Sequence, residues 1–129
     1  MSAPASSTSL AVAARAAVLE LLADDGIEAT GDAGAFFPQP VAVLVGLPTL
    51  DHRGLRSATF TVPVSVVSGD PLNEERAVDR LYAFADDVAR SLRSDEYRPG
   101  SFSGSPNAEP LPAVEMLATV QIADTNGGT

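Results

Sequence analysis

PVAVLVGLP (residues 40–48) and ATFTVPVSVVSG (residues 58–69) are the two runs whose reading decides the fold. Both are short, apolar and rich in β-branched residues, and the polar segment TLDHRGLRS (residues 49–57) separates them. In the second run Ala58, Phe60, Val62, Val64 and Val66 fall on one face of a strand, with Thr59, Thr61, Pro63 and Ser65 on the other. One face must be buried, and the opposite face presents small polar groups. The rest of the chain is read as material that covers the apolar face, and the function is sought on the polar one.

A second alternating run, AVEMLATVQI (residues 113–122), supplies a matching strand. Val114, Met116, Ala118, Val120 and Ile122 oppose Glu115, Leu117, Thr119 and Gln121. Two helices are predicted to cover the apolar faces. The first spans Leu10 to Ala23, with Leu10, Ala14, Ala17, Val18, Leu21 and Leu22 at spacings of three and four. Ser9 or Ser7 caps its start, and Gly26 takes the left-handed position after it. Only Arg15 and Glu20 are charged within it, so it can approach a sheet or a neighbouring subunit closely. The second runs from about Asn73, its expected N-cap, to Leu92. Glu74 and Glu75 stand in its first turn, and Val78, Leu81, Ala85, Val88 and Leu92 form one apolar stripe. Asp86 and Arg90 stand at the i,i+4 spacing of a helix ion pair.

Between these elements the readings are thinner. GIEATGDAGAFFPQP (residues 26–40) is a Gly- and Pro-rich connection in which Phe36 and Phe37 call for burial, as a plug of the core or an anchor for a partner. Gly69-Asp70-Pro71 reads as a turn. A short strand is expected around Ser101 to Ser105, turning at Pro106-Asn107. The expected order is therefore α-β-β-α-β-β, an α+β two-layer sandwich with about four strands in an antiparallel or mixed sheet and two helices on one face. Residues 9–123 form a single domain in this reading, between a flexible segment 1–8 and a flexible tail 124–129.

Composition narrows the function. With 129 residues the chain suits one domain with one core. Cysteine is absent, which removes disulfides, thiolate catalysis and cysteine-ligated zinc. The apolar runs fall far short of the roughly 20 residues that span a bilayer, and the start of the chain carries no basic flank, so a soluble, unprocessed protein is expected. Eight basic against seventeen acidic residues give a net charge of −9, which opposes affinity for nucleic acid through phosphate neutralisation.

The search for chemistry yields little. The one histidine, His52, lies between Asp51 and Arg53, and sequence neighbours do not supply the geometry of a base, its orienting partner and a nucleophile. A metal at His52 and Asp51 would have only carboxylates to complete its shell. The acidic pairs Asp24-Asp25, Asp86-Asp87 and Asp95-Glu96 diverge by about 100° where they lie on a helix, which does not make facing carboxylates. Gly26, Gly31 and Gly34 lie between a helix and a strand, the reverse of a phosphate-binding loop. No enzyme, cofactor or metal is predicted.

The succession of a leading alanine-rich helix, PVAVLVGLPTL, a polar loop, ATFTVPVSVVSGDPLN, an amphipathic helix and PAVEMLATVQI resembles the tail terminator proteins of long-tailed, siphovirus-type actinobacteriophages. These are similar in architecture to the tail terminator of phage lambda. The likeness covers roughly residues 8–123 and rests on element order and short phrases. It implies a virion protein of the tail neck, assembled in the host cytoplasm, that forms a ring, typically a hexamer. The ring caps the tail tube, joins it to a head-tail stopper or connector protein, and lets DNA pass during ejection, with no membrane involved. On this resemblance Thr59, Thr61, Ser65, Glu115, Thr119 and Gln121 are the candidate lumen face. Asp51, His52, Arg53 and Arg56 form a candidate docking loop. Another neck protein, or an unrelated non-catalytic oligomeric binding domain, is the alternative.

Overall fold

The computed structural model describes residues 9–32, 41–69, 75–103 and 109–123. The expected segments 1–8 and 124–129, the Ser7 and Asn73 caps, Glu74, the turns at Asp70-Pro71 and Pro106-Asn107, and Phe36 and Phe37 lie outside the described residues. Among the described residues the chain is α+β, with two helices and a mixed sheet of six strands rather than about four. In order these are α1 (Leu10–Asp24), β1 (Ala29–Thr30), β2 (Val41–Val45), β3 (Thr49–Arg53), β4 (Ser57–Ser68), α2 (Glu75–Leu92), β5 (Tyr97–Phe102) and β6 (Leu111–Ala123).

The strand read from the second run is the spine. β4 pairs antiparallel with β6 from Ser57↔Ala123 to Val67↔Ala113 without a break in register. Its other side is shared between two partners: β3 takes residues 58–61 and β2 takes residues 64–68, both antiparallel. Pro63, which cannot donate to a ladder, sits at this change of partner. Its carbonyl accepts from the Gly46 N–H at 2.7 Å. Because a residue's N–H and C=O point to the same side of an antiparallel strand, the missing donor faces the β2–β3 turn and costs no bond to β6. Gly46 is required there, since a Cβ would lie 2.8 Å from the Pro63 ring.

The alternation predicts the core correctly. Val62, Val64, Val66, Val114, Met116 and Ala118 are buried with Val43 and Val45 against Ala14, Val18 and Leu22 of α1 and Leu81, Ala85 and Val88 of α2. Ser9 caps α1 by accepting from the Ala11 N–H at 3.1 Å, and Gly26 has φ +77° after it. Arg15 reaches from α1 across to the far strands, donating through Nη2 to the carbonyls of Gly31 and Val45. α2 closes with the same geometry as α1, where the Ile27 N–H returns to the Leu22 carbonyl at 2.9 Å, but without a glycine. Arg93, with φ 55°, takes the left-handed position usually given to glycine, and the Ser94 N–H returns to the Ala89 carbonyl at 2.9 Å.

Three local expectations are corrected. The segment read as a polar loop contains a strand: Thr49–Arg53 is β3, and only Gly54–Arg56 turns, with the Gly54 N–H on the Ser57 carbonyl at 2.8 Å. The short strand expected at 101–105 begins earlier, at Tyr97. It tolerates Pro99 because β5 is at the edge of the sheet and Pro99 stands opposite Val114, whose backbone groups point toward β4. Arg90 pairs with Asp87 at 3.1 Å instead of Asp86, which accepts from the Tyr97 hydroxyl.

Candidate functional site

The face of the sheet away from the helices carries every residue of the predicted polar set. The β4–β6 register makes them three directly opposed pairs, Thr59–Gln121, Thr61–Thr119 and Ser65–Glu115. The β4 members are half-buried and the β6 members exposed. Since Pro63 directs its backbone away from β6, its row of residues forms non-hydrogen-bonded pairs with β6, the closer of the two antiparallel spacings. Side chains on this face therefore touch across the strands.

The β3–β4 hairpin brings two of the candidate docking residues, Asp51 and His52, onto the same surface. A bulge between Leu50 and His52 sets Asp51 and His52 near Thr59, and the Thr61 hydroxyl donates to the Asp51 carboxylate. Ser57 accepts from the Gln121 amide at 3.2 Å. Arg53 stands opposite Ala58, while Arg56 is exposed at the hairpin tip beside Leu55, which is 96% exposed. Asp51 thus adjoins the Thr59–Gln121 and Thr61–Thr119 pairs, and Arg56 is apart from them at the end.

This face is not made of small polar groups alone. The pair Pro63–Leu117 interrupts the polar rows, and Leu117 is 54% exposed. Beyond Ser65–Glu115 the same face becomes apolar, with Val67 and Ala113 buried among Ala42, Leu44, Phe102 and Leu111. Arg98, which sequence reasoning did not single out, stands directly opposite Glu115 on β5. Its placement follows from pairing with β6, and no periodic apolar pattern in the sequence marks it. Gly100 leaves room beside it: a Cβ there would collide with the Glu115 carboxylate.

A hollow of about 1120 Å³ opens where β5 ends and β6 continues, lined by Pro63, Ser94, Tyr97, Arg98, Leu117 and Thr119 among others. At its rim the Tyr97 hydroxyl donates to Asp86, and this hydrogen bond to a carboxylate, with a small contribution from burial, raises the phenol above its usual value. Tyr82 packs nearby, with ring centroids 6.0 Å apart. Among the described residues no three His, Asp or Glu side chains gather as a metal site would require. In comparisons with known proteins, no family model matches the chain and no curated protein matches it.

Proposed function

We propose that the chain is a structural subunit of a phage tail neck, a tail terminator whose ring of about six copies caps the tail tube and passes DNA through its centre. It acts without catalysis, cofactor or metal. In each subunit the helices make an outer layer and the sheet an inner one, and the ring meets the tube protein on one side and a stopper or connector protein on the other. The observation that supports this best is the lower part of the sheet face, where Thr59–Gln121 and Thr61–Thr119 form a threonine-rich, hydroxyl-lined strip without a basic side chain between them. Such a wall offers a phosphate backbone no cation to bind, and the net charge of −9 repels it at distances within a Debye length. The apolar upper part of the same face then serves contacts with protein and stays out of the channel.

Electron microscopy of the purified protein, alone and mixed with tail tubes, tests the reading. The expected result is a ring with an open centre seated on the tube end; a monomer that leaves tubes uncapped overturns it. In assembled particles, Thr61→Lys combined with Glu115→Lys should slow DNA ejection at low salt while leaving the fold intact. Unchanged ejection removes this face from the channel. Exposed Leu47 and Leu55, at 74% and 96%, favour a second reading, an oligomeric binding domain unconnected with phage tails. Rings that form but ignore tubes would select it.

A further inference from the structure

The two sides of the lower sheet are finished differently. On one side β3 carries Asp51, His52 and Arg53 and a bulge, the devices that keep an edge from recruiting another strand. On the other, β5 pairs with β6 only from Leu111 to Met116, so among the described residues Leu117–Ala123 has a ladder on its β4 side alone. This segment, LATVQIA, contains no charge, proline or glycine. Backbone parity fixes what it offers. Pro63 turns its carbonyl toward β2, so Leu117 opposite it, and with it Thr119, Gln121 and Ala123, directs its N–H and C=O onto the open edge.

We infer that Leu117–Ala123 pairs antiparallel with the same segment of a second copy across a two-fold axis at Val120. The sequence is self-complementary in that register. Leu117 meets Ala123, Ala118 meets Ile122, Thr119 meets Gln121, and Val120 meets its own counterpart. Each large apolar residue except Val120 faces a small one, the polar residues face each other, and no like charges are opposed. The parity agrees as well: Thr119–Gln121 and Leu117–Ala123 exchange backbone hydrogen bonds, and Val120 falls on a non-hydrogen-bonded pair. Shifting the axis to Thr119 sets Leu117 against Gln121, and shifting it to Gln121 sets Val120 against Ile122 and shortens the ladder. The hollow beside Leu117 and Thr119 leaves space for the end of the incoming strand. An isologous contact of this kind closes on itself and gives a dimer.

The pairing does not rest on the ring reading. If both hold, the dimer must part before a ring forms, because neighbours in a head-to-tail ring are not related by a two-fold axis.

Sedimentation equilibrium of the full chain should show a dimer. Thr119→Lys with Gln121→Lys places like charges opposite each other twice, and should raise the dissociation constant about a hundredfold or more. Thr119→Glu with Gln121→Lys places opposite charges there and should keep the dimer. Because the chain has no cysteine, Val120→Cys is a clean probe of register. A non-hydrogen-bonded pair sets its two Cα atoms about 4.5 Å apart, within reach of a disulfide, so mild oxidation should give a covalent dimer. Leu117→Cys should cross-link only when mixed with Ala123→Cys. A native monomer, a dimer indifferent to both charge variants, or a Val120→Cys protein that does not cross-link overturns the pairing. Rings on tube ends from a protein that is monomeric when free would overturn this pairing alone; a Val120→Cys protein that cross-links when oxidised but never caps tubes when reduced would overturn the ring alone.

Discussion

The two ends of the sheet are built to different standards. At the wide end β1, β2, β4, β6 and β5 lie side by side, the inner face is filled by both helices, and even the outer face is apolar around Val67 and Ala113. At the narrow end only β3, β4 and β6 remain, the outer face carries hydroxyls and amides, and all five residues of β3 are exposed. The same two long strands run through both. The inner face is buried along both strands, from Ala58, Phe60 and Val62 to Val64 and Val66, so the contrast lies on the outer face, which at the narrow end is free to present a surface chosen for something besides folding.

Substitutions can break this contrast or sharpen it. The largest effect is expected from Val66→Ala at the wide end, which removes two buried methyl groups and leaves a cavity, at a cost of about 2–3 kcal/mol in urea denaturation. Thr61→Ala at the narrow end should stay within about 0.5 kcal/mol. Equal costs would mean that the outer face at the narrow end matters to folding as much as the core does.

Gly46→Ala tests the junction between them. The added methyl meets the Pro63 ring and carbonyl where β4 changes partner, and a loss of about 1–2 kcal/mol is expected in the same assay. A neutral result would show that the junction gives way easily. Arg93→Gly acts in the other direction. It relieves the left-handed conformation after α2, and a thermal melt should show stabilisation of about 0.5–1 kcal/mol, less than the full steric relief because glycine loses more entropy on folding. A lower melting temperature would mean that the arginine side chain holds the rim of the hollow.

The smallest effect concerns Tyr97. Its phenol titrates above the ordinary value of 10.0 because the protonated form donates to Asp86. A pKa raised in the folded state means that the contact is present below about pH 10 and is lost as pH rises through the folded value. Absorbance titration near the phenolate band should show one of the two tyrosines ionising late, and Asp86→Asn should bring it back toward the other. Two coincident titrations in the native protein would remove the contact.

How much of this was legible before the structure follows from what each element depends on. β4, β6 and both helices declare themselves because they bury one face and so carry a period in their apolar residues. β3 buries nothing; TLDHR is a strand through backbone pairing with β4 alone, and backbone pairing leaves no mark in side-chain pattern. The start of β5 is hidden because Pro99 and Gly100 are uncommon inside strands and are tolerated here at a sheet edge whose N–H groups are not needed. The candidate face was legible as a set of residues, since alternation sorts them, but its register was not. That Thr61 stands against Thr119 depends on pairing between segments far apart in the chain, and that Asp51 belongs to the face instead of a separate loop depends on the bulged β3–β4 hairpin.

The unbroken run of pairs between β4 and β6 also makes the molecule mechanically direction-dependent. A pull along the strands, with β4 held at one end and β6 at the other, loads every pair from Ser57↔Ala123 to Val67↔Ala113 in parallel, so all must shear together. A pull across the sheet opens them one at a time, as a zip does. Whatever grips this protein by the two ends of its spine meets a stiff link, and whatever tugs at its edge meets a soft one.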